Sequence, residues 1–224
     1  MKPRIGMVTI GQAPRVDVVP DMADIIGPGV EILERGALDG LGAEAIGALA
    51  PVGDDDVLVT RLADGRSVFV GKRLVTPLVQ RRVDELESAG VAMTVVLCTG
   101  KFKDLRARGV LVEPEKVIAG VLHGVRFAGR LGVLTPSPRH VAQTDARWRA
   151  HGFDPVVAAA SPYDESASIP AAAEELRAGS VGLVLMDCIG FRRQAREELR
   201  ARLGVPVVVS NLLVARVVAE LAGG

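Results

Sequence analysis

The chain has 224 residues and a mass of 23.5 kDa, which fits one large domain or two small ones. Lys+Arg and Asp+Glu both number 27, so the formal charge is zero and no basic surface indicates nucleic acid or an anionic membrane as a partner. Hydrophobic residues make up 49% and aromatic residues 3%, which excludes intrinsic disorder and leaves few rings for stacking on bases.

The predicted elements alternate between short apolar runs and helical patterns. The predicted strands are Ile5–Ile10, Val91–Leu97, Arg130–Leu134, Val181–Met186 and Val205–Val209. The predicted helices are Leu74–Ala89, Pro114–Leu122, Pro138–Ala150, Ile169–Ala178 and Arg193–Leu203. Because the strands are nearly continuous runs of Val, Ile and Leu, we expect parallel sheets covered by helices on both faces. The fold class is therefore α/β.

One segment, from about residue 30 to residue 71, departs from this pattern. Val57–Leu62 and Ser67–Val70 flank an Asp-Gly turn, which predicts an antiparallel hairpin inserted into the α/β body. Asp54, Asp55 and Asp56 lie at its base. Three adjacent carboxylates can bind a cation but are more often a solvated turn, so we expect no metal here.

A second group of observations concerns the compartment. The apolar run that follows Met1 is too short for a signal peptide, and polar residues interrupt the apolar stretch Val205–Leu221. The two cysteines are then expected to be reduced thiols in a cytoplasmic protein. The three histidines are scattered and the cysteines are far apart, so no metal-ligand spacing occurs.

A weak internal repeat links the two halves of the chain. Arg4–Thr9 resembles Arg130–Thr135, and each continues into a loop with Pro and Arg. Cys98 and Cys188 each follow a buried strand and precede a glycine by two residues. The strand openings lie 126 residues apart and the cysteines 90, a difference close to the length of the hairpin segment. The repeat predicts two similar α/β halves, the first with an insertion.

The repeated residues fall at predicted strand ends, where parallel α/β sheets bind ligands. Two thiols facing each other across a cleft would remove a proton from one face of a carbon and return one to the other, without a cofactor. We expect each thiol to begin a helix, whose dipole would favour the thiolate. The candidate catalytic residues are Cys98, Cys188 and Asp187, the last to polarise or reprotonate Cys188. The candidate contacts of a small carboxylate ligand are Thr9, Gly11, Gln12, Arg15, Thr99, Gly100, Thr135, Ser137, Ile189 and Gly190.

Each candidate has a simpler interpretation. A cysteine after a buried strand is often an inert small hydrophobe, and an Asp there commonly caps the next helix. Arg15 can bind a carboxylate or be one of many solvated arginines, and Thr9 and Thr135 can simply end strands. His140 is a possible proton donor, but we expect it to be a solvated surface residue.

Three stretches, Thr9–Arg15, Val184–Phe191 and Val205–Arg216, resemble the AroM family within the aspartate/glutamate/hydantoin racemase superfamily. The resemblance implies two Rossmann-like parallel-sheet domains related by pseudo-twofold symmetry, with a cleft between them and a homodimer as the assembly. The first domain would comprise residues 1–113 and 211–224, and the second residues 114–210. The last helix, from Asn211 to Leu221, would pack back on the first domain.

The resemblance also implies an activity. Enzymes of the superfamily racemise or isomerise small carboxylates without pyridoxal phosphate, using one cysteine from each domain, and Cys98 and Cys188 occupy the matching places. Some relatives keep one cysteine and decarboxylate malonates or isomerise maleate. We therefore expect a cofactor-independent racemase or isomerase. The alternatives are a one-cysteine decarboxylase or cis–trans isomerase, and a non-catalytic binding or regulatory protein.

Overall fold

The structure is a computed structural model that describes residues 2–53 and 56–223. Its strands are β1 (Arg4–Thr9), β2 (Glu31–Gly36), β3 (Val57–Arg61), β4 (Ser67–Gly71), β5 (Met93–Leu97), β6 (Val110–Val112), β7 (Arg130–Thr135), β8 (Pro155–Ala159), β9 (Val181–Met186) and β10 (Val207–Val209). Its α-helices are α1 (Val19–Ile26), α2 (Ala43–Gly47), α3 (Lys72–Ser88), α4 (Pro114–His123), α5 (Val141–Ala150), α6 (Glu165–Ala178), α7 (Arg193–Leu203) and α8 (Ser210–Leu221). Within the described ranges, none of the helices combines the length and the apolar character that crossing a membrane requires.

The chain divides into two compact units. The first unit consists of Met1–Val117 and Val214–Gly224, and the second unit consists of Ile118–Leu213. The boundaries fall inside α4 and α8.

Each unit is built on one four-stranded parallel sheet. The strand order is β2-β1-β5-β6 in the first unit and β8-β7-β9-β10 in the second, and every neighbouring pair in both sheets is parallel. The two orders correspond strand for strand, with β1 matching β7 and β5 matching β9. The predicted α/β class with two parallel sheets and an antiparallel pair is confirmed.

The correspondence extends to how helices pack on the sheets. A Cβ at Gly6 of β1 would lie 2.8 Å from Cδ1 of Leu86 on α3. A Cβ at Gly132, the matching residue of β7, would lie 3.2 Å from Cδ2 of Leu176 on α6. The repeated glycine thus gives a helix leucine room to pack tightly on the first strand of each unit.

The antiparallel segment is shorter than the predicted residues 30–71, because it begins only at Val57. Strands β3 and β4 pair from Val57 opposite Gly71 to Arg61 opposite Ser67, and Gly65 in the turn has a φ of +85°. Strand β2, which lies in the predicted 30–71 insertion, instead pairs in parallel with β1 and belongs to the main sheet. Strand β2 contains the polar residues Glu31, Glu34 and Arg35, as an edge strand can. It therefore lacks the continuous apolar pattern that predicts a buried parallel strand.

The hydrophobic cores lie between sheets and helices. In the first unit, Val75, Val79, Val83 and Leu86 of α3 are fully buried against a cluster that includes Val8 and Val96. In the second unit, Trp148 is the largest fully buried side chain and packs with Leu131, Val133, Leu183 and Leu185. These cores fix the strand ends that carry the candidate residues.

Candidate active site

The two cysteines occupy the same place in their sheets. Thr9, the last residue of β1, pairs with Leu97, so Cys98 follows one residue further along. In the second unit Leu134 pairs with Met186, and the Asp187 N–H donates to the Leu134 carbonyl at 2.8 Å. Continuing this register puts Asp187 opposite Thr135 and Cys188 one residue further, as in the first unit.

Each cysteine sulfur accepts a hydrogen bond from its own turn. The Gly100 N–H donates to Cys98 Sγ at 3.3 Å, and the Gly190 N–H donates to Cys188 Sγ at 3.5 Å. Both thiols are partly exposed. An N–H donor stabilises a thiolate relative to a thiol, so both turns favour the reactive form of the sulfur.

The expectation that a helix begins at each cysteine is wrong for Cys98 in the first unit. Residues 98–109 form no helix, and strand β6 follows them. Phe102 from this segment enters the hydrophobic core, which holds the segment as a loop. In the second unit α7 begins only at Arg193, after the turn that holds Cys188. The N–H donors of the turns therefore replace the helix dipole, whose effect falls off within the first helical turn.

The surroundings of Cys98 are largely apolar. Cys98 packs against the buried cluster that includes Leu58 of β3 and Phe102. A Cβ at Gly100 would lie 2.8 Å from Cδ2 of Leu58, so the hairpin closely covers this turn. Thr99, which lies between Cys98 and Gly100 in the sequence, is buried with 7% of its surface exposed. The inert-hydrophobe interpretation thus has structural support at Cys98.

The turn around Cys188 is held by polar contacts. The Phe191 N–H donates to the Cys188 carbonyl at 3.4 Å and closes the turn over Ile189 and Gly190. Asn211 Nδ2 donates to the carbonyls of Ile189, at 2.9 Å, and Phe191, at 2.8 Å.

Ser210, beside Asn211 at the start of α8, makes a similar contact on β9. Its Oγ donates to the Met186 carbonyl at 2.7 Å, and both Ser210 and Asn211 are buried. Neither residue was predicted to have a role, although a Ser-Asn pair inside an apolar stretch indicates buried polar side chains, and such side chains need hydrogen-bond partners.

Asp187 points to α5. Its Oδ2 accepts hydrogen bonds from the Arg147 guanidinium and from Trp148 Nε1, the latter at 2.8 Å. The side chain of Asp187 is 1% exposed and that of Arg147 is 17% exposed. The carboxylate therefore anchors β9 to α5. The role of Asp187 in polarising or reprotonating Cys188 stays a prediction, and nothing in the sequence indicated that Arg147 and Trp148 are partners of Asp187.

The loop after β1 contains the predicted ligand contacts Gly11, Gln12 and Arg15, and its backbone N–H groups would be donors to a carboxylate. In the structure these groups bind the protein itself, through Gly11 N to Thr9 Oγ1 (3.2 Å), Gln12 N to the Arg61 carbonyl (3.2 Å), Ala13 N to Asp39 Oδ1 (2.8 Å) and Arg15 N to Glu34 Oε2 (2.7 Å). Pro14, the remaining residue of the loop, has no N–H. This network counts against a backbone carboxylate site in the first unit.

The side chains of this loop are engaged as well. Arg15 is buried, and its guanidinium donates to both carboxylate oxygens of Asp17, at 2.8 and 2.9 Å, and to Thr9 Oγ1 at 3.0 Å. Burial acts to raise the pKa of Asp17, but the hydrogen bond and charge of Arg15 outweigh it and the pKa is lowered. Gln12 donates to the Leu38 carbonyl and accepts from the Ala63 N–H, which ties the hairpin to the sheet.

The corresponding loop in the second unit contains a hydroxyl–imidazole pair. Ser137 Oγ lies 2.8 Å from His140 Nδ1, and Thr135 Oγ1 lies 3.0 Å from Thr144 Oγ1. The expectation that His140 is solvated is wrong, because only 5% of its surface is exposed. Burial, with the charges of Arg147 and Arg139, lowers the pKa of His140 to about 4. The imidazole is therefore neutral at physiological pH and orients the Ser137 hydroxyl.

The acidic turn at the base of the hairpin is only partly described. Asp54 and Asp55 lie outside the described residues, while the Asp56 carboxylate accepts from the Arg73 N–H at 3.1 Å at the start of α3. Elsewhere in residues 2–53 and 56–223, no three His, Cys, Asp or Glu side chains come together in a group that could hold a metal ion.

The fold of two parallel-sheet units is shared with solved racemases and with a decarboxylase. Allantoin racemase from Klebsiella pneumoniae superposes with a TM-score of 0.61 at 16% identity, covering 99% of this chain and 88% of that chain. Unliganded arylmalonate decarboxylase gives 0.63 at 17% identity, covering 99% and 93%. Glutamate racemase from Aquifex pyrophilus gives 0.59 at 16% identity, covering 97% and 83%.

Sequence comparison identifies the family of the chain more narrowly than the fold does. The sequence model of the AroM family, described as "AroM protein", matches residues 5–222. The chain belongs to the AroM family, and the predicted resemblance is confirmed. A search of curated proteins finds no match.

Proposed function

We propose that this protein is a cofactor-independent racemase or isomerase that acts on a small carboxylate, with Cys98 and Cys188 as the acid–base pair. The observation that carries the proposal is the matched hydrogen bond from glycine N–H to cysteine sulfur, at 3.3 and 3.5 Å, at corresponding strand ends. A thiol stabilised as thiolate has an acidity suited to proton transfer near neutral pH.

The proposed reaction is a proton exchange at the carbon next to the carboxylate. One thiolate takes the proton from this carbon and becomes a thiol, which leaves a carbanion stabilised by the carboxylate. The other thiol then donates its proton to the opposite face and becomes a thiolate. The charge and the number of protons balance, and the product is the other enantiomer.

We propose that side chains of the second unit, and not the loop after β1, bind the carboxylate. The N–H groups of that loop are bound within the protein, whereas Ser137 is held by a neutral imidazole at the end of β7. When the neutral ring carries its proton on Nδ1, it donates to Ser137 Oγ and leaves the hydroxyl hydrogen to donate to a carboxylate oxygen. Of the predicted ligand contacts, Ser137 therefore has the strongest structural support.

A second candidate function is a one-cysteine reaction, such as decarboxylation of a malonate, in which Cys188 alone donates the proton. The observation that favours it is the contrast between Cys98, packed in apolar surroundings, and Cys188, in a turn held by Asn211. Arylmalonate decarboxylase shares the fold, which makes arylmalonates a natural test substrate.

The test is a substrate panel with the wild-type protein. Single enantiomers of small amino and hydroxy acids are incubated and analysed by chiral chromatography, while aryl- and alkylmalonates are followed by release of CO2. Racemisation of one acid supports the first function, and CO2 release supports the second. The double variant Cys98→Ser with Cys188→Ser is the control for both. A ligand that binds but is never converted would contradict both proposals and identify a binding protein.

The assembly and the compartment are also proposals. The AroM resemblance implies a homodimer, and the two free cysteines suit a reducing compartment such as the cytoplasm. Sedimentation equilibrium of the purified protein tests the dimer: a single species of 23.5 kDa would contradict it.

A further inference from the structure

Asn211 is a buried side chain whose amide donates two hydrogen bonds to the turn that follows Cys188. It is 1% exposed, and the two hydrogens of its amide donate to the carbonyls of Ile189 and Phe191. These two carbonyls lie on either side of Gly190. Asn211 therefore fixes the backbone of this turn from outside it.

The peptide between Ile189 and Gly190 connects Asn211 to the sulfur of Cys188. The Ile189 carbonyl and the Gly190 N–H belong to the same planar trans peptide, in which C=O and N–H point in opposite directions. When Asn211 holds the carbonyl, the N–H is directed away from Asn211. That N–H is the group that donates to Cys188 Sγ at 3.5 Å.

We propose that Asn211 is a positioning residue for Cys188: it orients the Ile189–Gly190 peptide so that the Gly190 N–H stabilises the thiolate. The inference rests on the proposed function in assigning the thiolate a catalytic task. Asn211 itself does not contact the sulfur in this scheme and acts only through the backbone.

A variant of the neighbouring Ser210 distinguishes this positioning role from a contribution to stability alone. Ser210 is buried beside Asn211, and its hydroxyl also donates to a carbonyl, that of Met186. Ser210 thus holds the carbonyl of Met186, two residues before Cys188, and not the peptide whose N–H donates to the sulfur. Loss of the Ser210 contact should therefore weaken the fold without changing the acidity of Cys188.

The test measures the alkylation rate of each cysteine with iodoacetamide from pH 5 to pH 10, by mass spectrometry of the peptides. The midpoint of the rate profile reports ionisation, whereas the plateau at high pH reports access to the sulfur. Asn211→Leu has a similar shape and no donor. It should move the midpoint of Cys188 upward by about one pH unit and slow its alkylation at pH 7 about three- to tenfold.

Two controls are built into the protein. Cys98 lies in the other unit, so its midpoint should stay the same in Asn211→Leu. Ser210→Ala should lower the urea midpoint of unfolding and leave both alkylation midpoints unchanged. If Asn211→Leu does not fold, Asn211→Ser, which is too short to reach both carbonyls, is used in its place.

The proposal is overturned if the Cys188 midpoint in the Asn211 variant equals that of the wild type, or if Cys98 shifts by the same amount. The assay uses no substrate, so its outcome is independent of the racemase proposal. If the midpoint shifts in a protein that binds a ligand but never converts it, Asn211 still positions the turn, and the enzymatic function is rejected.

Discussion

Asp187 holds, at the end of β9, the position that Leu97 holds at the end of β5, one residue before the cysteine in each unit. The first unit thus buries an apolar side chain there, and the second unit buries a carboxylate. A buried carboxylate needs partners, and Arg147 and Trp148 of α5 supply them. The two units share a topology but fix their cysteines by different means.

The first prediction concerns this buried ion pair. Asp187→Asn keeps an acceptor for Trp148 but removes the negative charge from the buried ion pair with Arg147. We expect the free energy of unfolding to fall by about 3 kcal/mol, because removing one charge of a buried ion pair is costly. Urea unfolding at pH 7, followed by fluorescence of Trp148, measures the change.

An exposed carboxylate of the same unit serves as the control for Asp187. Asp154 pairs with Arg130 and Arg149, and its side chain is 62% exposed. Asp154→Asn should leave the urea midpoint unchanged, since solvent screens such pairs. Equal midpoints for the wild type and Asp187→Asn would mean that the carboxylate does not anchor β9 to α5.

The second prediction concerns pH. The pKa of His140 is lowered from 6.5 to about 4, so the unfolded chain binds a proton in a range where the folded chain does not. The contribution of neutral His140 to stability is therefore complete above pH 6.5 and is lost as the pH falls toward 4. Between these limits the wild type should lose about 2–3 kcal/mol more than His140→Gln.

The measurement is urea unfolding at a series of pH values for the wild type and His140→Gln. His123→Gln, at an exposed histidine of α4, should show the same change of unfolding free energy with pH as the wild type. If His140→Gln also shows the wild-type pH dependence, His140 does not titrate as its burial requires.

The third prediction concerns Gly11, at the junction of β1 and the hairpin. A Cβ there would lie 2.3 Å from Thr60 Oγ1 and 2.4 Å from the Arg61 carbonyl oxygen, and the second contact is with backbone that cannot swing away. Gly11→Ala should therefore cost about 1–3 kcal/mol of stability. Thermal unfolding by circular dichroism measures the loss.

Gly47 of α2 is the matched control for this overpacking. A Cβ at Gly47 would meet no atom within 4 Å, and alanine favours a helix. Gly47→Ala should raise the stability by about 0.5–1 kcal/mol. A Gly11→Ala protein as stable as the wild type would show that the hairpin can move away from β1.

The sequence predicted the buried parallel strands, the hairpin and the repeat, because each has a local pattern of apolar or turn residues. It missed the parallel pairing of β2, since the polar residues of an edge strand do not form such a pattern. It placed Cys98 and Cys188 at matched strand ends, which the register confirms.

The partners of the candidate site residues were not predictable in the same way. Asn211 contacts Ile189 from 22 positions away, and Arg147 contacts Asp187 from 40. Such contacts depend on how strands and helices pack, which a single sequence does not display. For the same reason His140 was expected at the surface, since a histidine at a helix start carries no local sign of burial.

The measurement that tests the central claim most directly is deuterium incorporation in D2O by the wild type, Cys98→Ser and Cys188→Ser. With the substrate found in the panel, the wild type should place deuterium on the carbon next to the carboxylate in the product enantiomer, because the thiol that returns a proton has exchanged with solvent. Each single variant should lose racemisation by at least about 100-fold, since a serine hydroxyl is a far weaker acid than a thiol. Racemisation that persists at the wild-type rate in either single variant would contradict the paired-cysteine mechanism, and persistence in both would contradict thiol catalysis in this protein.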